Sequence, residues 1–202
     1  MSATPKIQPT PCDQLIHLVS GAIPPGVCKT LIQLFEASPL RTPGKVFDAA
    51  GKLVVKSDKI SEELTIEPEG PWIAPHGALH QQVSQVILGY AALFPSLQIA
   101  PLQWSPYKMK KYQKRDGKFD WHFDAASPST FQRQIALIVY LNNVNKGGET
   151  AFFNQQLQIT PKEGDVLLFP PFWTHMHSGL IPQSEDKYII TSFVEFAPTS
   201  GS

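Results

Sequence analysis

His122 and Asp124 stand one residue apart, two further histidines follow at positions 175 and 177, and Lys187 opens an apolar run. Two imidazoles and one carboxylate on a common atom would hold a metal with coordination positions open on one side, the donor set of non-haem Fe(II) oxygen chemistry. In Phe119-Asp120-Trp121-His122-Phe123-Asp124 the aromatics fall on odd positions and the polar residues on even ones, the period of a half-buried strand. Phe119, Trp121 and Phe123 would then face a packed layer, and Asp120, His122 and Asp124 the other side. Alone, His-x-Asp also describes a histidine hydrogen-bonded to a carboxylate at a strand edge. A third ligand could come from either His175 or His177, which share one face of an extended segment.

Lys187 begins the strand-like run Lys187 to Phe196, in which Lys187, Thr191 and Phe193 fall on one face and Tyr188, Ile190, Val194 and Phe196 on the other. An inward ammonium needs an anionic partner, which a bound carboxylate would supply. A solvated strand end, with the head in water, is the plainer alternative.

The order His122-x-Asp124, His177 and Lys187 ten positions on resembles the 2-oxoglutarate- and Fe(II)-dependent dioxygenases of the prolyl 4-hydroxylase-like family. The likeness runs from Tyr107 to Phe196 and includes Tyr140-Leu141-Asn142, Gly147-Gly148-Glu149-Thr150-x-Phe152 and Gly164-Asp165 before Val166-Leu167-Leu168-Phe169. It implies that His122, Asp124 and His177 are the catalytic iron ligands, and that Lys187 receives the distal carboxylate of 2-oxoglutarate with help from the hydroxyls of Tyr140 and Thr191. Tyr112 would line the same pocket. The spacing to Lys187 and the following Ser178-Gly179 favour His177 as the ligand; His175 would be its supporting neighbour or merely exposed. Where relatives often carry arginine, Lys187 resembles the collagen-type prolyl hydroxylases.

The same resemblance implies Fe(II), 2-oxoglutarate and O2, with ascorbate as a candidate reductant, and hydroxylation of an unactivated C–H bond with release of succinate and CO2. Relatives that halogenate lack the carboxylate that Asp124 supplies. A prolyl residue in a protein or peptide leads as substrate, with a free amino acid or small metabolite as the alternative. A non-catalytic 2-oxoglutarate- or metal-binding barrel acting as sensor or scaffold would not explain why every ligand position and the lysine occur together. A cupin-like isomerase or lyase would have no use for Lys187. Trp121, Phe172, Trp173 and Phe193 could wall a substrate site, although such aromatics are more often packing.

These residues need a scaffold. The 202 residues suffice for one domain, with 1–100 giving strand and helix support with a candidate lid and 101–198 the core. Short strands separated by turn signals from Gln134 to Phe169 indicate a mostly β fold with flanking helices: a double-stranded β-helix, or jelly-roll barrel of cupin type, supported by N-terminal helices. Nineteen prolines fit its many rigid connections. A strand and helix are expected over residues 14–38, with Pro24-Pro25 at the helix start and Val27, Leu31, Leu34 and Phe35 at helical spacing. A second helix is expected from Gly77 to Phe94, on which His76 and His80 read as surface or capping residues rather than a metal pair. Residues 41–71 read as a lid or a surface excursion. Tyr107 to Tyr112, rich in lysine, reads as an edge strand, with Lys110 facing the pocket as the other option.

A formal charge of zero offers nothing to nucleic acid or an anionic membrane, so neither is expected as a partner. Met1 to Pro11 lacks the pattern of a targeting signal, and no apolar run approaches a membrane span. Cys12 and Cys28 make neither a disulfide framework nor a metal pair, which points to the reducing cytoplasm.

Overall fold

A computed structural model describes residues 15–47 and 52–197; Cys12 and the Met1–Pro11 segment lie outside them. Helix α1 covers Pro25–Ala37 and α2 covers Ile73–Leu93. In the first part of the chain the strands are β1 (His17–Val19), β2 (Thr42–Pro43), β3 (Val46–Phe47), β4 (Leu53–Val54), β5 (Lys59–Ile60) and β6 (Glu62–Thr65). After α2 come β7 (Leu102–Trp104), β8 (Lys108–Tyr112), β9 (Lys118–His122), β10 (Arg133–Tyr140) and β11 (Thr150–Phe152). The last four are β12 (Leu157–Ile159), β13 (Val166–Phe169), β14 (His177–Gly179) and β15 (Lys187–Phe196).

Pro25 occupies the first position of α1, where the missing N–H has no intrahelical acceptor to serve. Cys28, Leu31 and Phe35 bury one face of the helix. After its end, Arg41 Nη1 donates to the carbonyls of Phe35 and Glu36 at 2.9 and 2.7 Å. Helix α2 starts at Ile73, before the expected Gly77, because Pro75 in its first turn forfeits only an N–H that no carbonyl of the helix could accept. Leu79, Val83, Ile87 and Tyr90 form its buried stripe. His76 and His80 are neither capping nor fully exposed: their rings stack, and His80 Nδ1 lies 2.9 Å from the Tyr107 hydroxyl. Among the described residues, no helix is long and apolar enough to cross a membrane.

The larger sheet runs β1-β13-β10-β15-β8-β6-β2, with β7 beside the end of β15. The smaller runs β12-β11-β14-β9-β5. Alternation sorts the larger sheet's side chains: Leu137, Val139, Val166, Leu168, Ile190 and Met109 pack with both helices, while Ala136, Ile138, Tyr140, Leu167, Phe169 and Ile189 turn toward the smaller sheet. β10 is therefore covered on both faces, which explains its unbroken apolar run.

Two expectations change. β8 is no edge strand; it is laddered to β15 on one side and β6 on the other. Lys111 reaches Glu36 and Asp186 at 2.9 and 3.3 Å and Lys108 lies 3.9 Å from Glu63, while Lys110 stands opposite Glu63 in register without an ion pair to it. Residues 41–71 are no plain excursion. β2 and β6 extend the larger sheet, β5 extends the smaller one, and β3 pairs antiparallel with β4.

Candidate metal centre

One donor atom each from His122, Asp124 and His177 lies within 4.8 Å of the others. His122 and His177 are register partners across β9 and β14, which puts their rings 4.2 Å apart. Asp124 follows just beyond β9, its N–H donated to the Pro171 carbonyl at 3.0 Å and its own carbonyl accepting from Arg133 Nη1 at 2.8 Å. Its carboxylate oxygens stand 3.9 Å from His122 Nε2 and 3.5 Å from His177 Nε2.

The register of β9 departs from simple alternation. Between the partners His122–His177 and Phe119–Gly179 the β9 side holds one residue more, so Asp120 and Trp121 together oppose Ser178. This bulge resets the phase. Phe119 and His122 both turn inward and stack at 3.5 Å, whereas Trp121, expected in a packed layer with Phe119, is 46% exposed.

The tautomers follow from the partners. His122 Nδ1 sits 2.8 Å from the Asp120 carbonyl and His177 Nδ1 3.0 Å from the His175 carbonyl. A carbonyl only accepts, so each Nδ1 carries the proton and each Nε2 keeps its lone pair toward Asp124. Burial, then the facing His177, pushes His122 well below the ordinary imidazole range. Burial lowers His177 too, although Asp124 opposes the shift. Both rings are thus neutral donors at pH 7. His175 supports its neighbour through the backbone, while its own ring is buried in the 3-10 turn Trp173–His175.

Lys187, Tyr112 and Tyr140 are brought together in or beside the same cavity, away from its mouth, and Thr191 lines both cavity and mouth. Lys187 is 2% exposed and donates to the Gly148 carbonyl at 2.6 Å. That carbonyl is presented by a turn with positive φ at Gly147 and Gly148, where a side chain on Gly147 would collide with the Ile181 backbone. Tyr112 faces Lys187 across the ladder, and Tyr140 donates its hydroxyl to Thr150 Oγ1 at 2.7 Å. Burial pulls the Lys187 ammonium down to about 7, against the raising influence of Glu149.

Two neutral imidazoles and a carboxylate fit a divalent iron, and a buried ammonium at the base fits the carboxylate of a small dianion.

Several residues escaped sequence reasoning. Arg133 holds Asp124 through its carbonyl, with its guanidinium 3.8 Å over the Phe193 ring; an arginine heading so apolar a strand was the available signal. Lys59 and Glu63 form a buried pair at 2.5 Å, four residues apart within the stretch read as a lid or surface excursion. Phe193 lines the cavity and Trp121 its mouth, but Trp173 is 71% exposed.

Residues 107–195, from just before β8 almost to the end of β15, match the 2OG-Fe(II) oxygenase superfamily. Over those residues, somewhat under half of its length, the chain is similar to that superfamily. The match supports a 2OG-Fe(II) oxygenase of prolyl 4-hydroxylase-like type. A 59-residue stretch is 41% identical to a probable prolyl 4-hydroxylase 11 of Arabidopsis thaliana, covering 26% of this chain and 20% of that one. The chain thus matches about a fifth of that relative's length. The fold is shared with a prolyl hydroxylase of Trichoplax adhaerens, solved with a hypoxia inducible factor peptide fragment (TM-score 0.74, 16% identity, 92% of this chain and 87% of that one). It is shared as well with a viral collagen prolyl hydroxylase of Paramecium bursaria Chlorella virus-1 (TM-score 0.66, 17% identity, 92% and 99%). The mostly β double-stranded β-helix is thereby established for this chain.

Proposed function

We propose that the chain is an Fe(II)- and 2-oxoglutarate-dependent dioxygenase that hydroxylates a prolyl residue of a protein or peptide. The observation that carries this is the convergence on one cavity of the His122–Asp124–His177 donors and, apart from them, the buried Lys187 ammonium. When bound, iron and 2-oxoglutarate supply oxygen activation coupled to decarboxylation, yielding succinate and CO2.

The chain's own residues bind, orient and exclude water. His122 and His177 present neutral Nε2 atoms in fixed orientation because each Nδ1 is tied to a carbonyl. Asp124 offers its carboxylate from a backbone held by Pro171 and Arg133. Lys187 neutralises the distal carboxylate, with Tyr140 and Thr191 contributing hydroxyls and Tyr112 closing the side. Phe119 and Phe169 flank the imidazoles and keep the site dry.

The prolyl assignment rests on the prolyl hydroxylases named above and on a mouth cavity of about 1100 Å³, which has room for a peptide segment. We take residues 1–202 to be one oxygenase domain with 101–198 as its core, ascorbate to be a usable reductant, and the cytoplasm to be its setting. The experiment is anaerobic addition of 2-oxoglutarate to the Fe(II)-loaded protein, then admission of oxygen with and without proline-rich peptides. A visible charge-transfer band followed by peptide-stimulated succinate is expected. A band with unstimulated succinate would overturn the prolyl assignment, and no band would overturn the dioxygenase itself.

A further inference from the structure

Lys110 lies on the inner face of β8, two residues before Tyr112, and borders both the inner cavity and its mouth. It is 9% exposed. Among the described residues its ammonium makes no hydrogen bond and no ion pair within 4.0 Å. The nearby carboxylates are already committed. Glu63, its register partner on β6, pairs with Lys59 at 2.5 Å and has Lys108 at 3.9 Å. Lys59 reaches Glu63 from the smaller sheet, rests 4.8 Å over the Phe119 ring and donates to the Lys45 carbonyl at 3.3 Å. Asp124 belongs to the metal-binding set. Three lysines therefore share one glutamate, and the one with no direct partner is the one at the junction of cavity and mouth.

An unmatched buried ammonium is costly, and the alternatives are proton loss or an anion from outside. Burial, followed by the charge of Lys59, pulls Lys110 down to about 7 against the raising influence of Glu63 and Asp124. The carboxylates of 2-oxoglutarate are accounted for at Lys187 and the metal under the function proposed above, on which this inference rests. We propose that the second substrate carries a carboxylate beside its reacting carbon and that Lys110 receives it. Two sources share this chemistry: an acidic side chain next to the hydroxylated residue of a peptide, or the α-carboxylate of a free amino acid.

The test is binding without turnover. The protein, loaded anaerobically with Fe(II) and 2-oxoglutarate, is titrated by calorimetry with acetyl-Asp-Pro-amide against acetyl-Asn-Pro-amide, and with L-proline against L-prolinamide. At least one acid should bind about tenfold more tightly than its amide, and the pair that discriminates identifies the source. Lys110→Met should erase the preference and Lys110→Arg retain it. Equal binding of acid and amide in both pairs, or no binding by either acid, would overturn the proposal without involving any variant. So would a preference that survives Lys110→Met, or a loss in that variant of 2-oxoglutarate affinity alone. The loading step reports separately: failure of the wild-type protein to take up Fe(II) and 2-oxoglutarate would bring down the function proposed above, and this inference with it.

Discussion

Leu168 and Phe169 are neighbours in β13, yet they belong to different regions of the molecule. Leu168 packs with Leu137, Val139 and the helices, in a layer that is mainly apolar. Phe169 turns the other way, toward His177, on a face that also carries Lys110, Tyr112, Tyr140, Lys187 and Thr191. The outer face gains free energy with every buried methylene. The inner face places two lysines where burial alone would not keep them charged. Stability is concentrated in one layer and chemistry in the other, with a single β-sheet serving both.

Removing a metal donor is the most severe way to probe the inner layer. His177→Ala or Asp124→Ala should lower iron affinity and turnover by more than the ~10–100-fold typical of losing a supporting hydrogen bond, with the folding transition little changed. Turnover near wild type in either variant would mean that the donors are misassigned. The outer layer should answer in the opposite sense. Leu168→Ala removes a fully buried side chain and should cost about 2–5 kcal/mol in denaturant unfolding, with turnover per folded molecule preserved. A large loss of turnover at full stability would erase the distinction between the layers.

Lys187→Met sharpens the comparison, because it substitutes an apolar chain for a buried charge. The 2-oxoglutarate requirement should rise by about 10–100-fold while stability stays level or increases. Marked destabilisation would instead make Lys187 a structural residue.

The smallest effect is in pH. Lys110 and Lys187 have folded-state values near 7, against 10.5 for the free side chain. Between those limits the unfolded chain binds more protons than the folded one, so the stability of the ligand-free protein should rise with pH. The slope is at most about 1.4 kcal/mol per pH unit for each lysine. Unfolding midpoints measured from pH 7 to 9 should climb, and less steeply in Lys187→Met; a fall over that range would contradict the burial assigned to both groups.

Much of this was legible in the chain. The resemblance singled out His122, Asp124 and His177, whose donor atoms do lie together, while the inward set Lys187, Thr191 and Phe193 and the apolar stripes of both helices follow from spacing, which local backbone geometry translates directly into position. What was not legible depended on pairing. Three lysines in five residues made β8 look like an edge, since nothing in Lys108–Tyr112 reveals that Glu63, Glu36 and Asp186 will meet them. Alternation also misplaced Phe119 and Trp121, because a bulge is a property of two strands together, and Ser178 lies far along the chain from either residue.

That bulge stores the phase of the metal site as a residue count. Loss of a single codon at position 120 or 121 would leave every liganding side chain encoded and the reading frame intact. It would also restore the plain two-residue period opposite Ser178, so that Phe119 and His122 could no longer both face inward. For this gene, a three-nucleotide deletion there would act as a null for the proposed catalysis, written entirely in spacing.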